Sequence, residues 1–398
     1  MMGRRTAAAV VVAMGLTVPA APAVADSTPK QIDRIVRDQM QQDHLRAVIV
    51  RVTKGGKVVS TKAYGTSMTG VPATTDMRFR NGAVAFAYVS TLLLRYVDQG
   101  KVKLNDTVDK WLPGLPESDT VTLKMLANQT SGYPDYEQDP AWQLAFVENP
   151  FHQWTYRERR KVAFAKPMLF RPGTNWSYSH TNFMVLGKIL AKVGGKPLAR
   201  LIKGEDLGPM GLKATVADQT GQIPQPVLHA YSSERRGYLE LPASTKFYEE
   251  STFWNMAWGT PVGATQTTDI RDLARSARAI GTGTLLSKRS YRAMTGPNLL
   301  GFGQRQDNCA PACFQQVIGY NYGLGIVRSG DWLLQNPLLG GYAATMAYLP
   351  ERDVAIAVAT TFKQRAFSAE GDYPNASDGI FRRIGALMAP KDPPPVKK

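Results

Sequence analysis

β-Branched and other apolar residues crowd the stretches Ala47 to Lys54 and Val58 to Tyr64, with Gly55-Gly56 between them. Runs of that length around paired glycines predict two strands closed into a hairpin. Ahead of them, Pro29 to Leu45 has the apolar spacing of an amphipathic helix. Helical spacing returns from Val84 to Gly100, where Leu92, Leu93, Leu94, Tyr96 and Val97 form a broad apolar face and Gly100 supplies the stop. From roughly 105 to 300 short helical patterns alternate with Pro/Gly loops and no internal repeat is visible. Strand signals resume at Tyr322 to Arg328, Trp332 to Gln335, Ala343 to Leu349 and Val354 to Thr360. Asp378 to Leu387 predicts a closing helix, and residues 391–398, rich in proline, are expected to fray as a flexible tail. Strands at both ends with helices between predict an α+β fold, one sheet built from both termini with a helical insert. The sheet-bearing part is expected at 30–82 and 300–390 and the helical lobe at 83–299.

Composition narrows the class without changing that picture. The chain has 398 residues, 43% hydrophobic and 20% charged, enough to bury a core without staples. No uninterrupted apolar run reaches the ~18 residues of a membrane-spanning helix. Arg4-Arg5, the apolar stretch Thr6 to Val18 and Ala23-Val24-Ala25 have the order of a secretory leader, with cleavage expected before Asp26. The protein is therefore expected outside the cytoplasm, with 26–390 as its working domain. Lysine and arginine number 48 against 32 acids, a net +16 that stays strongly positive without the two leader arginines. For an exported chain this balance suits an anionic wall polymer or membrane surface. No motif for nucleic acid accompanies it. The one dense basic run, Arg157-Glu158-Arg159-Arg160-Lys161, is expected to be a solvated helix face. Cys309 and Cys313 are close in sequence, and export predicts a local disulfide. A metal site there would need two more ligands at suitable spacing, and no metal or cofactor is expected.

Several phrases occur in a telling order: Phe79-Arg80 before a helix, Val97 to Lys101 on to Asp106, Trp111 to Pro116, Leu126 to Tyr136, Phe170 to Thr174, Tyr178-Ser179-His180 and Pro209 to Leu212. Over about residues 30 to 390 the chain resembles the serine β-lactamase and penicillin-binding-protein group, with its class C β-lactamases, D-Ala-D-Ala carboxypeptidases and esterases. The resemblance implies an antiparallel sheet flanked by helices, an all-helical lobe and a cleft between them. It also implies acyl transfer by a serine and a lysine in an S-x-x-K phrase heading the first long helix. A Y-x-N tyrosine relays protons, and an H-x-G or K-T-G strand binds the substrate carboxylate.

This sequence departs from all three phrases. The serine position is Ala83 and the lysine position Phe86. A methyl group cannot attack a carbonyl and a phenyl ring cannot take a proton, and losing the nucleophile costs roughly a million-fold in rate. The S-x-x-K that does occur, Ser27 to Lys30, contains Pro29 and follows the expected cleavage point. No G-x-S-x-G elbow exists. Tyr178 keeps the second phrase, but His180 replaces its asparagine and Asn182 lies two residues beyond. Phenol and imidazole could face the cleft as a hydrogen-bonding pair or only hold the helical lobe together. Gln335-Asn336-Pro337 stands at the third phrase, where Pro337 removes a backbone donor.

The expectation is an exported protein of this fold, unable to acylate through serine. It would hold an envelope peptide or glycan by Tyr178, His180, Asn182, Trp254, Asn255, Gln335 and Asn336. One rival is a hydrolase or glycosidase acting on an envelope ester or glycan through Glu249, Glu250, His180 or Tyr178, carboxylates beside tryptophans being suited to acid–base work on sugars. Another is a structural protein whose apolar groups fill the cleft. Asp135, His152 and His229 have no partner assignable from sequence.

Overall fold

The computed structural model describes residues 27–217, 220–242 and 244–396, so the expected leader lies outside the described residues. Helix α1 (Thr28–Gln42) leads into the hairpin β1 (Leu45–Lys54) and β2 (Lys57–Met68), then β3 (Val71–Pro72) and β4 (Phe79–Arg80). The helical insert begins with α2 (Val84–Asp98) and continues through α3 (Leu123–Ala127), α4 (Pro140–Glu148), α5 (Tyr156–Ala163), α6 (His180–Gly194) and α7 (Leu198–Leu201). Two-residue strands β5 (Tyr231–Ser232), β6 (Glu249–Glu250) and β7 (Thr267–Thr268) follow, then α8 (Ile270–Gly281) and α9 (Lys288–Thr295). The last part holds β8 (Asn321–Tyr322), β9 (Val327–Ser329), β10 (Trp332–Gln335), β11 (Leu338–Leu339), β12 (Tyr342–Leu349), β13 (Val354–Phe362) and α10 (Ala376–Met388).

One antiparallel sheet runs in the order β3-β2-β1-β13-β12-β10-β9-β8, with β11 on β12. Its centre is the pairing of β1 with β13, from Leu45↔Phe362 to Lys54↔Val354, so strands from the two ends of the chain lie side by side. Both are rich in Val, Ile and Ala because both faces are covered. Val48, Val50 and Val52 point into one core with Ile32 and Val36 of α1 and Ile380, Phe381 and Ile384 of α10. Ala47 and Ile49 point into the other, which continues into α2 and α6.

Three details depart from the sequence reading. Helix α8 lies within the expected helical lobe, yet it packs on β13, β12 and β1, because Ile270, Leu273, Ala274, Ala277 and Ile280 make one apolar face. The run Tyr322 to Arg328 is two short strands rather than one, broken at Gly325, whose φ of +67° favours glycine. The tail expected to fray is tied down through Pro395: Trp332 Nε1 donates to Asp392 O, Arg352 grips the Asp392 carboxylate, and Ser329 Oγ donates to Pro395 O.

Cys309 and Cys313 are joined in a disulfide. Cys313 bridges to Ser177, and Tyr178 N donates to Ala312 O, so this small loop holds the strand that enters α6. Thiol titration of the unreduced, denatured protein should find no free thiol, and Cys309→Ser should cost about 2 kcal/mol in urea unfolding for so short a loop. Two titratable thiols would contradict the pairing.

Candidate functional site

The head of α2, the start of α6, the turn 135–138, the loop around Trp258 and the β10–β11 connection enclose a cavity of about 330 Å³. Gly82 brings two of these walls together. Its φ is +44°, and a Cβ there would lie 2.6 Å from Pro337 Cβ, so the position accepts no side chain.

Ala83 lines the cavity. Phe86, one turn along, is completely buried and stacks on Phe183 with ring centroids 4.0 Å apart and planes 7° from parallel. Its ring also packs 6.1 Å from that of Tyr178 and 5.8 Å from that of His180. The place the resemblance assigns to a lysine is thus part of an aromatic core. Among the described residues lining the cavity there is no serine, threonine, cysteine, lysine or arginine.

His180 is the cation of the site. Its Nδ1 lies 2.9 Å from Asp135 Oδ2 and 2.7 Å from Glu137 Oε1. Asp135 is well placed because it caps the turn Tyr136–Gln138, accepting a hydrogen bond from Glu137 N. Burial alone would push the imidazole down, but the Glu137 and Asp135 charges override it and lift His180 to about 10. Burial likewise raises Glu137, against the pull of His180, to about 7. Burial pushes the Tyr178 phenol well above its ordinary value, so it stays neutral. The Nδ1 proton is hydrogen-bonded to Asp135, and Glu137 Oε1 faces the same nitrogen as an ion pair. The same three donor atoms lie within 4.8 Å of one another, close enough to bracket a metal cation, which would have to displace that proton.

The proton linkage has a sign. A group raised in the folded state lends stability that is fully present below its unfolded value and lost as pH climbs through the folded one. For His180 that window runs from 6.5 to about 10. Wild-type stability should fall across it, and His180→Asn should flatten the fall while costing about 2–4 kcal/mol at neutral pH, where two carboxylates are left without their cation. Urea midpoints measured from neutral to alkaline pH check this, and an unchanged alkaline slope would contradict it.

The remaining expected residues divide. Tyr178, Gln335 and Asn336 line the cavity. Gln335 Nε2 donates to Gly325 O, and Asn336 Nδ2 donates to Asp378 Oδ1, so both side-chain nitrogens already have acceptors. Pro337 lies in the break between β10 and β11. Asn182 does not reach the cavity: it is buried, with Ser131 Oγ donating to its Oδ1 and its Nδ2 donating to Gln129 Oε1. Trp254 and Asn255 are buried too. Asn255 caps the turn Met256–Gly259, and Trp258 of that turn is the one that reaches the cavity. Glu249 and Glu250 lie outside it on the ribbon β5–β6, where Glu249 pairs with Arg235 at 2.9 Å and Glu250 with His229. They form no acid–base pair with the cleft groups. His152 contacts Glu158 at 3.1 Å.

Sequence reasoning missed Glu137 and Tyr320, and in the aromatic loop Phe253 to Trp258 it chose Trp254 where Trp258 lines the cavity. The available signal for Glu137 was an acid two residues from Asp135 in a chain with only four histidines. Beyond Glu137, Trp258, Leu338 and Leu339 a second chamber of about 200 Å³ opens, walled by Trp142, Phe146, Tyr238 and Met256 and flanked by Glu234 and Arg235.

The family model described as Beta-lactamase matches residues 32–379. The chain is 27% identical over 256 residues to Protein flp of Staphylococcus aureus (strain MW2), covering 62% of this chain and 48% of that protein. It is 25% identical over 301 residues to penicillin-binding protein 4* of Bacillus subtilis (strain 168), covering 72% and 59%. The chain thus spans about half the length of these relatives. Among solved structures, D-amino acid amidase from Ochrobactrum anthropi SV3 complexed with D-phenylalanine superposes with a TM-score of 0.74 at 21% identity, over 92% of this chain and 99% of that one. The D-stereospecific amidohydrolase from a Streptomyces species gives 0.70 at 23%, over 89% and 97%. These likenesses are of fold.

Proposed function

The chain belongs to the beta-lactamase family, and from that premise we propose that it is an exported member which binds, without acylation, an amine-bearing cell-envelope peptide or glycan fragment in its cleft. The observation that carries this reading is the pair Ala83 and Phe86. A methyl group stands in the wall of the cavity, and a fully buried phenyl ring, stacked on Phe183, occupies the base position. The aromatic packing there is complete, so the change is built into the lobe rather than confined to two side chains.

The ligand class follows from local charge. The walls offer the Glu137 carboxylate and carry no lysine or arginine, and the one imidazolium is held by two acids. A free carboxylate end has little to meet there, while a primary ammonium can bind Glu137.

Isothermal titration with a short D-amino-acid peptide, free or acetylated at its amine, tests the reading. Acetylation and Glu137→Gln should each weaken binding by about tenfold or more, the worth of a charge-assisted hydrogen bond. Equal affinity for free and acetylated peptide would sink it.

The rival reading, a non-serine hydrolase, has in its support only the convergence of His180 with Asp135 and Glu137. Their arrangement speaks against a glycosidase, because the two carboxylates grip one imidazole instead of flanking space for a sugar bond, which needs a separation of about 5–10 Å. A panel of esters and aryl glycosides should stay flat. The purely structural reading is disfavoured by a cavity that stays open and partly polar.

A further inference from the structure

Along β1, alternate residues face the helical side of the sheet. Ala47 and Ile49 enter the core there, and the same face continues as Arg51 and Thr53. An arginine on the inward face of a central strand is unusual, and its surroundings make it more so. Helix α8 carries Arg271, Arg275 and Arg278 at helical spacing along the flank of its apolar face. All three meet Arg51 in the wall of a separate cavity of about 380 Å³, closed by Pro209, Met210 and Thr284. Among the described residues no carboxylate lines it, and it shares no lining residue with the cleft.

Like charges stacked along one helix face repel unless something offsets them. Nearby acids offset part of this charge, at Arg278 and Arg275. Asp272 Oδ2 accepts from Ala214 N, Thr215 N and Thr215 Oγ1, and its Oδ1 is 3.4 Å from Arg275. Asp269 caps α8, and Asp76 accepts from Thr74. Asp353 engages Nε and Nη2 of Arg278, leaving Nη1 over. Arg51 Nη1 donates to Thr61 Oγ1, Arg271 to Thr75, and Arg275 to Gly211 O. Burial pushes the Arg51 guanidinium down, and the Arg271 and Arg275 charges push it further, against the pull of Asp269.

We propose that this arginine-walled cavity binds a phosphate group carried by an anionic envelope polymer or lipid. Planar guanidinium forks converging from a strand and a helix suit an oxyanion with several oxygens better than a single carboxylate. The cavity gives the positive balance of the chain one place of action, where net charge alone gives none.

Titration at about 0.15 M salt with inorganic phosphate, a short poly(glycerol phosphate) and phosphatidylglycerol vesicles separates free phosphate, polymer and lipid as sources. Arg271→Gln with Arg275→Gln, both exposed and so tolerable to the fold, should weaken binding of the preferred probe by about tenfold. Arg51→Lys, keeping the charge but losing the fork, should give an intermediate loss. The charge-matched control Arg160→Gln with Lys161→Gln, on exposed positions of α5, should change it less than about twofold. Equal weakening by both pairs would reduce the effect to general charge and overturn the site, as would failure of all three probes to bind. Because the cleft is untouched, binding of the amine-bearing peptide by the Arg271→Gln/Arg275→Gln variant reports separately on the cleft.

Discussion

The double substitution Ala83→Ser/Phe86→Lys is expected to cost about 4 kcal/mol of stability and to return only slow β-lactam acylation. The wild-type protein should show no penicilloyl adduct by intact-mass spectrometry, because neither side chain at the head of α2 can attack or accept a proton. Restoring the hydroxyl is simple, since Ala83 already lines the cavity. Restoring the amine is not. Phe86 is completely buried against Phe183, and an ammonium placed there loses the stack and enters a region where His180 already bears a charge. Its ring centre lies 5.8 Å from that imidazole. The two cations would compete for the Asp135 and Glu137 carboxylates. It follows that Phe86→Lys and His180→Asn should compensate: the introduced ammonium can replace the imidazolium as counter-ion. A double-mutant cycle by urea unfolding should show a favourable coupling of about 2 kcal/mol. Strict additivity would mean that the two positions do not share the carboxylates. Nitrocefin turnover at family-like rates from the two-site variant alone would mean that His180 and Gln335 never obstructed the chemistry. Adding His180→Asn and Gln335→His should therefore help more than either reversion does by itself.

Much of the frame was legible because it rests on local periodicity. Runs of β-branched residues at both ends place β1, β2, β12 and β13, and the apolar face from Val84 onward places α2, each with an end within about two or three residues of its true limit. The site was legible only where a motif pointed to it: Ala83, Phe86, Tyr178, His180 and Gln335 lie together as the resemblance implies. What stayed hidden depends on side chains meeting across long stretches of sequence. Asp135 and His180 are 45 residues apart, and nothing local says that the turn capped by Asp135 delivers Glu137 to the same imidazole nitrogen. Trp254 and Trp258 stand in one aromatic phrase, and only the geometry of the turn decides that Trp258 faces the cavity. The arginines of α8 look like a solvated helix face until Arg51 meets them from β1.

The basic run on α5 misled in the opposite direction, and its consequence is large. Arg159 was expected in solvent, yet it is completely buried, because Tyr156, Arg159 and Ala163 form the inward face of α5. Its Nη1 donates to Trp258 O at 2.8 Å, Thr260 O at 2.7 Å and Ala257 O at 3.4 Å. The Tyr136 hydroxyl donates to the same Trp258 carbonyl. One guanidinium thus holds the loop that carries the tryptophan wall of the cleft, and its charge also pulls the neighbouring Glu137 carboxyl down. Arg159→Met is expected to cost about 3–5 kcal/mol, since Thr260 O loses this buried donor and Trp258 O keeps only the Tyr136 hydroxyl. Arg159→Lys should recover only part of that, because an ammonium keeps the charge but, on a shorter side chain, does not stand where Nη1 stands. The functional effect has a definite sign. Without Arg159 the Glu137 carboxyl should rise further above about 7, leaving it less ionised at neutral pH, so an amine-bearing ligand should bind more weakly. Raising the pH should recover binding in Arg159→Lys more fully than in Arg159→Met, where the wall itself is loosened. Urea unfolding gives the stability term, and hydrogen exchange at the amides of Trp258 to Thr260 shows whether the loop opens. Unchanged exchange there, with full stability, would mean that these carbonyls find other donors and that the buried guanidinium is dispensable.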